Sequence, residues 1–206
     1  MSETALFEGR DLAALRGGRL VFEGLSFALA AGDALVLRGP NGSGKSTLLR
    51  MLAGFLRSEH GQMLWQGEPI GHSTPEHRSR LHFVGHADAV KPLLTVEENV
   101  AFAAALDGAG RAGLDAALDH FGLRSLAATV GRLLSSGQKR RTALARLVAA
   151  PRPLWLLDEP GVGLDKASRA RLESVIADHR RGGGTVVVAT HGDVAIPDPL
   201  VLDFDG

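Results

Sequence analysis

The stretch Gly39-Pro40-Asn41-Gly42-Ser43-Gly44-Lys45-Ser46-Thr47 constrains this chain more than any other. Gly39 and Gly44 bracket four residues ahead of a lysine and two hydroxyls. Ala34 to Leu37 before it is a short apolar run suited to a strand, and Leu48, Leu49, Leu52 and Phe55 after it recur at helical spacing. A glycine-rich turn between strand and helix lets backbone amides converge on an anion, and the helix N-terminus adds favourable partial charge. This is the phosphate-loop pattern: Lys45 is expected to neutralise the β- and γ-phosphates of a nucleotide and Ser46 to ligate Mg²⁺.

The remaining pattern predicts what that unit is built into. A length of 206 residues suits one large domain or a domain with an inserted lobe. Leu20 to Leu29 reads as a strand followed by turn chemistry at Ala31-Gly32-Asp33, and Met63 to Trp65 and Leu81 to Val84 read as short strands around a turn-rich segment. From Leu94 to Leu147 the pattern turns helical. Thr95 and Glu98 make a capping box ahead of Val96 to Leu106, Asp107 to Gly110 breaks that helix, and Leu114 to Phe121 runs to a stop at Gly122. A third helix, Gln138 to Ala149, ends before Pro151. Strand Leu154 to Leu157, helix Ala167 to His179, strand Thr185 to Thr190 and strand Leu200 to Phe204 complete an α/β chain with a mainly parallel sheet covered on both faces.

Composition narrows the partners. Twenty-three basic and 23 acidic side chains cancel, which gives no general pull toward nucleic acid or anionic lipid, so no nucleic-acid partner is expected. The absence of cysteine excludes disulfides, thiolate metal sites and cysteine nucleophiles. No apolar run approaches the roughly 18 residues that cross a bilayer, and the first ten residues lack a signal pattern, so a protein kept in the cytosol is expected. Tyrosine is missing altogether, and 26 glycines are about twice the usual share.

Two further elements carry chemistry. Leu154-Trp155-Leu156-Leu157-Asp158-Glu159-Pro160 is an apolar strand ending in two carboxylates. Asp158 could face a metal and Glu159 could take a proton from attacking water; a strand meeting a solvated acidic turn is the other reading. Leu134-Ser135-Ser136-Gly137-Gln138 precedes it. The phosphate loop, this LSxGQ element, Asp158-Glu159, Gly163-Leu164-Asp165 and His191, in that order, resemble the ATP-binding cassette ATPases along essentially the whole chain.

The resemblance implies a P-loop NTPase fold with an antiparallel β subdomain and an inserted α-helical lobe. It implies one ATPase domain over residues 1–206: a RecA-like core with an N-terminal β subdomain from 1–87 and 151–206, and a helical subdomain from 88–150. ATP and Mg²⁺ are the implied cofactors, and a second copy of the chain, arranged head to tail, the implied partner. Ser135, Ser136, Gly137 and Gln138 would contact the nucleotide held by the other copy, Asp165 would lie at the dimer contact, and His191 would touch the γ-phosphate and help Glu159 position water. Lys45, Glu159 and His191 are the expected catalytic residues.

Three positions depart from the family pattern. Ser136 replaces a glycine, His86 stands where a glutamine senses metal and membrane partner, and Arg16 stands where an aromatic stacks on adenine, a contact a guanidinium plane can also make. His86 is therefore a candidate metal contact. His72, His77, His82 and His86 read as polar connector residues, and Lys139, Arg140 and Arg141 as a solvated helix face.

The segment from Val84 to Asn99, with its Gly85-His86 pair and Lys91-Pro92-Leu93-Leu94-Thr95, is similar to the ATP-binding subunits of the haem exporters of cytochrome c maturation. That subfamily implies a peripheral protein on the cytoplasmic face of the inner membrane, bound to integral permease subunits and not itself contacting haem. Its hydrolysis would drive release of a periplasmic haem chaperone or haem movement. The ATPase subunit of another exporter and an iron–sulfur assembly scaffold share the catalytic motifs and remain open; a phosphate-loop kinase is disfavoured by LSxGQ with Asp158-Glu159.

Overall fold

Apolar residues at alternate positions of the later strands face opposite ways, and this decides the architecture. The computed structural model describes residues 5–72, 74–106 and 113–204. A five-stranded sheet is assembled from β3 (Ala34–Arg38), β6 (Leu81–Val84), β7 (Leu154–Asp158), β8 (Thr185–Ala189) and β9 (Leu200–Asp203), in the order β6-β7-β8-β3-β9, with every pairing parallel. Trp155 and Leu157 of β7 with Val186 and Val188 of β8 pack into one core; Leu154, Leu156, Val187 and Ala189 pack into another. Two covered faces explain why these strands read as unbroken apolar runs.

The second core is closed by α1 (Lys45–Leu52) and by an antiparallel sheet of β1 (Phe7–Arg16), β2 (Arg19–Leu29), β4 (Gln62–Trp65) and β5 (Glu68–Pro69), ordered β2-β1-β4-β5. The first core is closed by α3 (Val96–Leu106), α4 (Leu114–His120), α5 (Ser136–Ala149) and α6 (Lys166–Arg181). The Thr95–Glu98 capping box forms as expected: the Thr95 amide donates to Glu98 Oε2 at 2.7 Å and the Glu98 amide to Thr95 Oγ1 at 3.1 Å. Gly122 stops α4 in a left-handed conformation, φ 62°. The expected break at Asp107–Gly110 lies outside the described residues.

Several local expectations are corrected. β1 carries no clean alternation because its register with β2 shifts three times between Gly9 and Leu15. Phe55 is not on α1, which ends at Leu52, and is left exposed. The turn-rich segment before β6 holds β5 and a short helix, α2 (Pro75–Ser79).

Two of the four clustered histidines are core residues rather than connectors. His77 meets the Leu52 carbonyl through Nε2 at 2.7 Å, and burial pushes its pKa down; His82 is buried against the Ala150 carbonyl. The run 139–141 is not a solvated face either. Arg140 is 4% exposed, and Arg141 donates to the carbonyls of Phe121 and Gly122 at the end of α4. Their partners lie far away in sequence, where no local pattern can show them.

Candidate functional site

The chain leaves β3 at Arg38 and reverses into α1 through Gly39, Gly42 and Gly44, all with positive φ. Gly44 has φ 115°, and a Cβ there would stand 2.8 Å from Val21 Cγ1, so only glycine fits. No side chain caps α1, which leaves its first amides facing the loop. Lys45 is nearly buried and its Nζ donates to the carbonyls of Gly39 at 2.5 Å and Pro40 at 2.9 Å, which holds the ammonium over the turn.

Ser46 Oγ lies 3.1 Å from Asp158 Oδ1, which brings a residue at the start of α1 against the last residue of β7. A hydroxyl and a carboxylate beside a phosphate-binding turn are the hard oxygen donors that Mg²⁺ takes, the rest of its shell being phosphate and water. The residues present therefore fit that ion. Among the described residues no group of three or more His, Asp or Glu side chains converges on a metal-binding point.

Beside these residues opens a cleft of about 460 Å³ lined by Arg16, Asn41, Lys45, Ser46, His86, Asp158, Glu159 and His191 among others. Sequence positions from 16 to 191 thus meet at one surface. Glu159 is its most constrained member. Its φ is 48°, a left-handed conformation that costs a bulky residue of order 1–3 kcal/mol and persists only where the surroundings over-determine it. Its Oε1 lies 3.3 Å from His191 Nε2, while Oε2 is buried without a hydrogen-bond partner. Burial is the main force raising its pKa, reinforced by Asp193 and Asp158 and opposed by His191 and Lys45. His191 Nε2 also lies 3.0 Å from Asn41 Oδ1, so one imidazole bridges the phosphate loop and the carboxylate.

The LSxGQ residues do not line this cleft. Ser135 is the N-cap of α5: its Oγ accepts from the Gln138 amide at 3.3 Å, and Gln138 Oε1 accepts from the Ser135 amide at 2.8 Å. Ser136 is exposed, so a hydroxymethyl is accommodated where the motif has glycine. A Cβ on Gly137 would stand 3.0 Å from the Gly163 carbonyl, which packs this element against the turn leading to Asp165. Asp165 in turn caps α6, accepting from the Ser168 amide at 2.7 Å, a bond that lowers its pKa.

With this geometry in view, the sequence profile of the ABC transporter family matches residues 22–162. The chain belongs to the ABC transporter family. Among its relatives, the "cytochrome c biogenesis ATP-binding export protein CcmA" of Paramagnetospirillum magneticum is 56% identical over 97% of this chain and 94% of its own length. Its counterparts in Rhodospirillum rubrum, 55% identical over 98% and 86%, and in Pseudomonas putida, 47% identical over 91% and 90%, carry the same name. The chain is thus a CcmA-like ABC ATPase, an α/β P-loop protein that binds nucleotide. Solved ABC folds agree: an ATP-binding subunit of an ABC transporter superposes with TM-score 0.83 at 24% identity, over 91% of this chain and 80% of that one. The cbiO1 subunit of Clostridium perfringens does so with TM-score 0.76 at 26% identity, over 92% and 79%. No helix among the described residues is long and apolar enough to cross a membrane.

Proposed function

We propose that this chain is the ATP-hydrolysing subunit of a cytochrome c maturation haem exporter. The observation that carries this reading is the convergence of Lys45, Ser46, Asp158, Glu159 and His191 on one cleft, in a chain whose relatives at 47–56% identity are CcmA export proteins.

The amides of residues 39–47 and Lys45 bind the phosphates, with Arg16 at the edge of the cleft where a guanidinium plane can stack on adenine. Ser46 and Asp158 would hold Mg²⁺, with His86 a further lining residue of the same cleft, and the ion would neutralise phosphate charge when bound. Glu159, its proton affinity raised by burial, accepts a hydrogen bond from the attacking water and orients it in line with the γ-phosphorus. His191, in contact with both Glu159 and Asn41 of the phosphate loop, aligns that carboxylate and would touch the γ-phosphate. Two copies meet head to tail, so that Ser135, Ser136, Gly137 and Gln138 of each complete the other's site, with Asp165 at the contact. Integral permease subunits dock beside the loop bearing His86, where Leu93, Phe102 and Phe55 are exposed. The subunit sits on the cytoplasmic face of the inner membrane, its helical subdomain at residues 88–150 moving against the core at 1–87 and 151–206. Hydrolysis drives release of a periplasmic haem chaperone or haem movement, neither of which requires haem to touch this chain.

Glu159→Gln tests the reading. The variant in the exporter complex is expected to bind ATP normally and accumulate a closed, ATP-loaded dimer on native gels; undiminished phosphate release would remove Glu159 from the role. The substitution has a second signature. A carboxyl whose folded pKa is raised contributes stability below its unfolded value, roughly 4.3, and loses it as pH rises through the folded value. Glu159→Gln should therefore raise the thermal midpoint at pH 7, with the gain shrinking toward pH 4. Co-purification of integral membrane subunits from detergent extracts checks the partner assignment.

A further inference from the structure

Arg140 is a buried cation, and each of its five N–H groups is used. Nε donates to the Pro160 carbonyl at 3.1 Å; Nη2 donates to the carbonyls of Asp158 at 3.0 Å and Glu159 at 2.6 Å. Nη1 donates to the Gly85 carbonyl at 3.0 Å and to Asp88 Oδ1 at 3.1 Å. One edge of a rigid, planar fork therefore pins three consecutive carbonyls around a residue whose φ is 48°, and its other donors grip the loop in which His86 stands. The group projects from α5, the helix that Ser135 caps.

A left-handed glutamate needs an external restraint, since its own side chain opposes the conformation. The Glu159 amide is held by the Ala189 carbonyl at 2.9 Å, which fixes one end of the peptide; Arg140 fixes the carbonyl ends of residues 158 to 160. If those carbonyls rotate, the carboxylate leaves its place beside His191. We infer that Arg140 is the positioning residue for Glu159, its guanidinium fixing the backbone that aims the carboxylate into the cleft and joining that backbone to loop 85–88. Displacement of the loop is then felt at the carbonyls flanking Glu159 through a single side chain. The inference rests on the reading of Glu159 as the residue that orients water, and goes beyond it by naming what holds Glu159 there.

The test is a double-mutant cycle on the full chain assembled with its permease partners. Arg140→Lys keeps the charge but supplies three donors on a flexible stem instead of a planar fork. It is expected to lower kcat by about 10- to 100-fold, with KM and calorimetric ATP affinity within about twofold of wild type. In a Glu159→Gln background the same substitution should change single-turnover hydrolysis by less than about twofold, because its effect runs through the missing carboxylate. Equal losses in both backgrounds, or parallel loss of ATP affinity, would show that Arg140 supports the fold in general and would overturn the inference. Should Arg140→Lys fail to fold, Asp88→Asn weakens the same clamp from the loop side; a kcat loss of about threefold or more at constant KM, absent in the Glu159→Gln background, supports the inference, and wild-type kcat overturns it. Failure of the Glu159 reading shows separately, as full turnover in Glu159→Gln alone.

Discussion

α1 and α5 both begin with residues that the family pattern brings to ATP, yet they begin in opposite ways. α1 follows Gly44 at φ 115° with no side chain covering its first amides, whereas α5 is closed by the reciprocal Ser135–Gln138 bonds. Orphan amides at a helix start must be satisfied by something. On the proposed reading α1 belongs to the subunit's own nucleotide, and its amides are reserved for phosphate. α5 serves a nucleotide on another copy and is needed only when two copies close, so its helix start is satisfied internally in between. The difference separates a permanent binding element from an intermittent one.

This contrast can be broken in four places. Lys45→Ala should have the largest effect, lowering ATP affinity by about 30- to 100-fold, ~2–3 kcal/mol, in a titration of the purified chain. Gly44→Ala puts a Cβ against Val21 in a left-handed backbone and should cost about 1–3 kcal/mol in chemical denaturation as well as ATP affinity. Ser135→Ala should cost about 1 kcal/mol of stability through the lost cap. It should leave ATP binding by a single subunit unchanged while hydrolysis by the assembled exporter falls; weakened binding by the single subunit would erase the distinction between the two helices. Ser136→Gly, at an exposed position, should stay within about 0.5 kcal/mol and keep turnover near wild type.

The features legible in the sequence were those whose cause is local. The phosphate loop, the Thr95–Glu98 box and the apolar strand ending at Asp158 each express a constraint set by neighbours a few residues away. The repeated register shifts of β1 erase its alternation, so its pairing has no periodic signature, and apolar spacing alone extends to Phe55, one turn past the end of α1. Arg140 reads as one of three charges on a helix face, yet it is anchored to carbonyls at residues 85 and 158–160. A buried cation bound to distant backbone has no signature in composition or period. His77 and His82 were hidden for the same reason. The cleft was legible by motif order, but the bridging of His191 to Asn41 was not, since it joins positions 150 residues apart.

The order β6-β7-β8-β3-β9 bears on how the chain is made. β3, which launches the phosphate loop, pairs with β8 at residues 185–189 and with β9 at residues 200–203. β8 leaves the ribosome about 150 residues after β3 and β9 about 165 residues after it. Until those strands are made, β3 and the loop that follows it have no sheet neighbour on either side. The strand that carries the ATP-binding loop is thus flanked on both sides only once β8 and β9 have been made.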